Sequence, residues 1–78
     1  MVAFYKLEFT YPDGHVEEIE ETFIGVTQAR VYGDSLLVQV ANTEQYRSSR
    51  GKTLRQPYYC VIENANGERK IVFDSRRP

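Results

Sequence analysis

The stretch that most restricts the fold of this chain is residues 27–46, TQARVYGDSLLVQVANTEQY, because no other stretch is long enough for a substantial helix. Apolar side chains recur there at steps of three and four residues, which places them on one helical face. They are Ala29, Gly33, Leu36, Leu37 and Val40. Thr27 can cap the first turn by accepting a bond from a backbone N–H. We therefore predict a helix over 27–46 with this face on a sheet.

A pair of strands competes with the helix in the same stretch. Gly33-Asp34 can form a two-residue hairpin turn, and the sequence VQV at 38–40 has a high β propensity. With a third hairpin at this position the chain would form a small all-β barrel of six strands. The helical spacing of the apolar residues favours the helix.

A first hairpin is predicted before the helix. Residues 2–11 alternate like a strand, and the following Pro12-Asp13-Gly14 is a strong turn signal. A three-residue loop with Gly14 at the bulge position sets the register of the second strand. The opposed residues are then Tyr11 with His15, Leu7 with Ile19, Ala3 with Phe23, and Lys6 with Glu20.

A second hairpin is predicted after the helix, with strands over 58–64 and 69–75. Asn66-Gly67 between them is the strongest short hairpin signal, because both residues accept a positive φ. The opposed residues are Ile62 with Ile71, Glu63 with Lys70, Val61 with Val72, and Cys60 with Phe73.

Hairpin, helix and hairpin together predict an α+β domain of two layers. One helix would cover one face of a four-stranded antiparallel sheet, in the order ββαββ. The length of 78 residues fits a single small domain over 1–78, and 41% hydrophobic residues are too many for a disordered chain. Many unrelated small domains share this pattern, so the fold by itself predicts no function.

Several features predict a cytoplasmic location and no contact with a membrane. The longest apolar run, from Tyr58 to Ile62, is far too short to span a bilayer. The N-terminal MVAFYKLEF alternates and carries charge, unlike a signal peptide. The single cysteine, Cys60, cannot form an internal disulfide and fits a reducing compartment.

The residues that usually carry chemistry are few and scattered. His15 lies in a turn and Cys60 in a strand, and one histidine with one cysteine does not make a usual zinc site. The segment 46–53 resembles a phosphate-binding loop, but a tyrosine replaces its first glycine and a helix precedes it instead of following it. We therefore expect no enzyme, no metal and no cofactor.

Charge is divided unevenly along the chain. Residues 1–44 carry two basic and eight acidic residues, a net −6, and residues 45–78 carry eight basic and three acidic residues, a net +5. The acidic run Glu17, Glu18, Glu20 and Glu21 is expected to protect an edge strand from pairing with another chain, with a basic partner as the alternative. The basic loop offers a nucleic-acid contact as the second hypothesis of function. Its candidate residues are Arg47, Arg50, Lys52 and Arg55.

The outer face of the predicted sheet gives the first hypothesis of function. The side toward the helix is expected to hold Leu7, Phe9, Ile19, Phe23, Tyr58, Cys60, Ile62, Ile71 and Phe73. Phe4, Tyr59, Val61 and Val72 would then point away from the helix. An apolar patch of this kind often marks an interface. We therefore predict a non-enzymatic protein-interaction domain that binds a protein partner or a second copy of itself, as a homodimer, through this face.

Overall fold

The computed structural model describes residues 4–43 and 56–76 of the chain. The elements are β1 (Phe4–Thr10), β2 (Val16–Glu18), α1 (Val26–Ala41), β3 (Tyr58–Ala65) and β4 (Glu68–Asp74). The strands form one open antiparallel sheet in the order β2-β1-β3-β4, and α1 packs against β1 and β3. The predicted two-layer ββαββ fold is confirmed. The barrel alternative is wrong, because Gly33-Asp34 lies inside the helix.

Helix α1 occupies most of the predicted stretch and uses the predicted face. Ala29 and Gly33 are buried, and the three large residues of that face are half-buried against the core. The predicted bounds are wrong. The N-cap is Gly25, with no side-chain cap, so Thr27 lies within the first turn, and the C-cap is Asn42. Within the described part of the chain, no helix is long and apolar enough to cross a membrane.

The first hairpin has the predicted register near its turn. Gly14 has a φ of 93°, and the Tyr11 N–H donates to the His15 carbonyl at 2.8 Å. Leu7 lies opposite Ile19, as predicted, but Phe23 pairs with Tyr5 and not with Ala3. Between these two pairs, residues 20–22 of the second strand lie opposite the single residue Lys6 of the first. The two extra residues make this segment irregular, so the regular strand β2 ends at Glu18.

The second hairpin is also correct near its turn and shifted beyond it. Asn66 and Gly67 have φ values of 55° and 77°, as a tight turn with two positive φ angles requires. The predicted pairs of Ile62 with Ile71 and Glu63 with Lys70 are confirmed. A β-bulge follows between Val61 and Ile62. Because of it Val61 pairs with Phe73 and Cys60 with Asp74, so the remaining two predicted pairs are wrong.

The sides of β3 are the reverse of the predicted ones. Pairing of β1 with β3 sets Leu7 opposite Val61 and Phe9 opposite Tyr59, so all four side chains face the helix. All four are fully buried, with 0% exposure. The residues wrongly assigned to the helix side are Tyr58, Cys60, Ile62 and Ile71, whereas Leu7, Phe9, Ile19, Phe23 and Phe73 are correctly assigned to it. The face of the sheet away from α1 is called the outer sheet face below.

Candidate interaction surface

The four residues of the predicted interface do not form a common surface. Tyr59 and Val61 lie in the core under α1, and Val72 is half-buried against that core. Phe4 remains on the outer sheet face and is 37% exposed. The predicted apolar patch is therefore wrong, because the reversal of β3 removes its two central members.

Tyr59 joins the sheet to the helix instead of facing a partner. Its ring packs against Gly33, where a Cβ atom would lie only 2.5 Å from the ring carbon Cε2. Its hydroxyl donates to Asp34 Oδ1 at 2.6 Å, with the Arg30 carbonyl oxygen a second acceptor at 3.1 Å. Burial, and then the hydrogen bond to Asp34, raise the pKa of Tyr59 well above its usual value. The hydroxyl is therefore a permanent donor that ties Asp34 to the sheet.

Both charged residues of α1 are drawn toward β3 and β4. Asp34 accepts the Tyr59 hydroxyl, and the Arg30 guanidinium lies 4.0 Å from the centroid of the Phe73 ring. A guanidinium over an aromatic face is attracted by the ring quadrupole. Asp34 is nevertheless exposed, and it lies three residues after Val31 and four before Val38, so it borders the side of α1 that points away from the sheet.

Three large apolar residues are exposed on the side of the helix away from the sheet or just before the helix begins. Ile24, Val31 and Val38 are 79%, 63% and 61% exposed. They are seven residues apart, a spacing of two turns that places Val31 and Val38 on the same side of the helix, with Ile24 just before its first turn. Ser35 lies between the valines. We call Ile24, Val31, Ser35 and Val38 the outer helix stripe.

Sequence reasoning missed the outer helix stripe, although a signal for it was present. The seven-residue spacing of Ile24, Val31 and Val38 can be read from the sequence. It lies opposite the buried face that contains Ala29 and Gly33, so the helix has apolar residues on two sides. A surface helix that needs only one apolar side is expected to carry polar residues on the other. The second apolar side therefore calls for an explanation other than the core.

The outer sheet face is occupied by ion pairs within the chain. Arg69 on β4 pairs with Glu8 on β1. Arg76 donates to Asp74 at 2.6 Å, and its guanidinium lies 3.9 Å from the centroid of the Tyr58 ring. These hydrogen bonds hold the pKa of Asp74 well below its usual range. A shallow groove lies on this face, lined mainly by Lys6, Glu8, Glu18, Ile62, Asn64 and Arg69.

The two edge strands of the sheet are protected by charge and irregularity. β2 is three residues long and exposes Glu17 and Glu18. The Tyr11 hydroxyl donates to Glu17 at 2.6 Å, which raises the pKa of Tyr11 to about 12. β4 exposes Arg69 and Lys70 beside its bulge. Short, charged and bulged edges discourage the addition of a strand from another chain.

The residues considered for chemistry remain separate. His15 is exposed in its turn, where its backbone N–H donates to Asp13 Oδ1. Burial, followed by the nearby Asp74, raises the pKa of the Cys60 thiol to about 11, which disfavours the reactive thiolate at neutral pH. Among residues 4–43 and 56–76, no group of three or more His, Cys, Asp or Glu side chains is placed to hold a metal ion. The predicted nucleic-acid contacts Arg47, Arg50, Lys52 and Arg55 lie outside the described residues.

The outer helix stripe is thus the most exposed apolar surface found on the described part of the chain. Its apolar side chains are more exposed than Phe4, Val16 and Ile71 on the sheet, which are 37%, 52% and 57% exposed. Comparisons of this chain with protein-family models, with curated proteins and with solved structures find no match.

Proposed function

We propose that this chain is a small protein-interaction domain, acting by binding and not by catalysis, whose contact surface is the outer helix stripe. The observation that supports the proposal is the 61–79% exposure of Ile24, Val31 and Val38, two of which lie on the side of α1 opposite its buried face. Exposed apolar residues are common singly, but a group of them on one surface often marks an interaction site.

The energy available from this surface is appropriate for a reversible contact. Fully burying a valine or isoleucine side chain is worth about 1.5–3 kcal/mol. Three partly exposed side chains supply several kcal/mol at most, of which association consumes a large share through lost translational and rotational freedom. The proposed interaction is therefore weak or moderate in affinity.

The outer sheet face is a less suitable contact surface than the sequence indicated. A partner seated there would take the Glu8–Arg69 and Asp74–Arg76 pairs out of water. The cost of desolvating such pairs often exceeds the attraction between their charges. The outer helix stripe imposes a smaller cost, because its own side chains are apolar or, at Ser35, small and neutral, and the neighbouring Asp34 already accepts a hydrogen bond from Tyr59.

Nucleic-acid binding remains a prediction about residues 47–55, outside the described part of the chain. Among the described arginines, Arg69 and Arg76 are paired with carboxylates, and Arg30 packs on Phe73. These contacts occupy the groups that a phosphate backbone would need.

The experiment is site-specific crosslinking in cells of the native organism. A photoreactive amino acid replaces Val31 in one variant and Ile71, which is 57% exposed on the outer sheet face, in a matched control. We expect protein adducts from position 31 and few or none from position 71. No protein adduct at position 31, or equal yields at both positions, would overturn the proposal. Adducts to RNA or DNA would instead favour the nucleic-acid prediction.

A further inference from the structure

We infer that copies of this chain join edge to edge, with β2 of one copy adding to β4 of the next in an antiparallel pair, so that one sheet continues through both. β2 and β4 are the two outermost strands of the sheet that the described residues form. An outermost strand carries main-chain N–H and C=O groups that can pair with a further strand. The inference goes beyond the proposed function, because it concerns a surface separate from the outer helix stripe.

The two edges of the sheet carry opposite charges. β2 exposes Glu17 and Glu18, whereas β4 exposes Arg69 and Lys70. Like charges directly opposite each other destabilise a strand pair, and opposite charges stabilise it. The charge on each edge therefore discourages pairing with the same edge of a second copy. The same charge attracts the other edge.

One register of the two edges matches their side chains at every position of β2. It brings opposite charges together twice and the exposed apolar residues of the two strands together once. Val16 and Ile71, which are 52% and 57% exposed, would cover each other in this register. The opposed pairs are Val16 with Ile71, Glu17 with Lys70, and Glu18 with Arg69.

The same register keeps the two layers of both copies aligned. Val16 and Ile71 both lie on the outer sheet face, while Glu17 and Lys70 both lie on the side of α1. Opposed residues share a face of the sheet, so α1 of each copy would cover the same side. Four strands about 4.8 Å apart separate the two helices by about 19 Å. This exceeds the helix diameter of about 10–12 Å, so the helices do not collide.

Neighbouring registers fit less well. A shift of one residue would place the helices of the two copies on opposite faces, because side chains alternate with a period of two. A shift of two residues in one direction sets Glu17 opposite Glu68. The same shift in the other direction brings Glu17 onto Val72, at the bulge that follows Ile71. The charges and the bulge therefore select the register with Val16 opposite Ile71.

The contact joins two different edges, so it does not close at two copies. Each added copy offers a further edge, and such head-to-tail contacts build rings or open chains. Three opposed pairs make a small contact, and small interfaces are weak. We therefore expect stepwise association that depends on concentration, with Kd of about 0.1–1 mM.

Reversal of charge tests the pairing, measured by sedimentation equilibrium on the full chain. Glu17→Lys and Lys70→Glu should each weaken association by at least about threefold, because each sets like charges opposite each other. The chain with both substitutions should associate like the wild type, since the attraction returns with its signs exchanged. Glu21→Lys, exposed and outside β2, changes the net charge equally and should leave Kd unchanged. Circular dichroism confirms that each variant is folded.

Disulfide trapping tests the register in a Cys60→Ala background. Val16→Cys with Ile71→Cys places two thiols opposite each other across the contact, with Cα atoms about 4.5–5.5 Å apart, which a disulfide can span. Within one chain these positions lie on opposite edges of the sheet, at least about 14 Å apart and too far for a bond. Oxidation with copper phenanthroline should therefore link chains in a ladder of multiples. Val16→Cys with Arg69→Cys, two residues out of register, is the matched control and should give little.

Each outcome decides one part of the inference. A wild-type chain that stays monomeric at about 1 mM, or association that stops at a dimer, overturns the edge-to-edge contact. A double charge variant that associates no better than the single ones overturns the proposed pairs. Equal ladders from the two cysteine pairs overturn the register. Adducts of other proteins at position 31 test the proposed function separately, because an adduct of this contact at position 71 has a multiple of the chain mass.

Discussion

Gly33→Ala is the substitution for which helical preference and packing predict opposite results. Gly33 lies in the middle of α1, where alanine is the better helix former by about 1 kcal/mol. Helical propensity alone therefore predicts a more stable protein. However, the added Cβ would lie 2.5 Å from Cε2 and 2.6 Å from Cδ2 and Cζ of Tyr59. Non-bonded carbon atoms in van der Waals contact are about 3.5–4.0 Å apart, so either the helix or the Tyr59 ring must move.

The Tyr59 ring has little freedom to move. It is fully buried, and its hydroxyl is held by Asp34 Oδ1 and the Arg30 carbonyl oxygen. Moving the ring would strain the close-packed core, which lowers stability by about 1–3 kcal/mol. It would also stretch the hydrogen bond to Asp34, which contributes about 1 kcal/mol. After the gain in helical propensity is subtracted, we expect Gly33→Ala to lower the free energy of unfolding by about 1–3 kcal/mol.

Urea unfolding of wild type, Gly33→Ala, Tyr59→Leu and the double variant tests this reasoning. The loss from Gly33→Ala should shrink or change sign in the Tyr59→Leu background, because the ring that opposes the Cβ is gone. Gln39→Ala, at an exposed position of the same helix, is the control and should change stability by less than about 0.5 kcal/mol. A more stable Gly33→Ala, or a loss independent of Tyr59, would refute the close contact.

Three further predictions concern the second hairpin. Gly67→Ala should lower the free energy of unfolding in urea by about 1–2 kcal/mol, because a φ of 77° is unfavourable for a residue with a side chain. No atom lies within 4 Å of the added Cβ, so the loss comes from the backbone alone. A variant as stable as the wild type would show that the turn changes its conformation. Cys60 should react with a disulfide reagent at neutral pH at least about tenfold more slowly than in urea, since its pKa is raised to about 11, and equal rates would contradict its burial. The folded pKa of Asp74 is depressed, so its stabilisation is present above its unfolded pKa of about 3.9 and is lost as pH falls through the folded value. Asp74→Asn should therefore flatten the fall in Tm below about pH 4, and a fall in Tm as steep as that of the wild type would argue against the Arg76 contact.

The elements that sequence reasoning predicts well are those controlled by local chemistry. The turns at Gly14 and Asn66-Gly67 depend on φ preferences, and they set the register of the residues beside them. The helix follows from apolar spacing within one segment. Errors increase with distance from each turn. The irregular segment 20–22 and the bulge beside Val61 are inserted where no local signal marks them.

The sides of β3 could not be chosen from its own sequence. Tyr58 to Ile62 is apolar at every position, so alternation gives no preference for either face, and one wrong choice reverses every side chain. The choice is made by contacts far along the chain. Gly33 leaves room on the helix for the large ring of Tyr59, and Asp34 accepts a hydrogen bond from the Tyr59 hydroxyl. These two contacts place Tyr59 on the side of β3 that faces the helix. The candidate surface was misplaced for the same reason, because it was defined as the residues left over from the core.

The strand order β2-β1-β3-β4 has a consequence for how the chain folds. Each hairpin is closed by its own turn and can form early, since its partners are near in sequence. The centre of the sheet is different, because Leu7 meets Val61 only after most of the chain has been brought back on itself. Of the three strand pairings in the sheet, this one closes the longest loop and therefore has the largest entropic cost. The contacts that offset this cost join Tyr59 on β3 to Gly33 and Asp34 on the helix. We therefore expect the pairing of β1 with β3 to limit the folding rate, so that changes at Tyr59 alter this rate more than changes at the Gly67 turn.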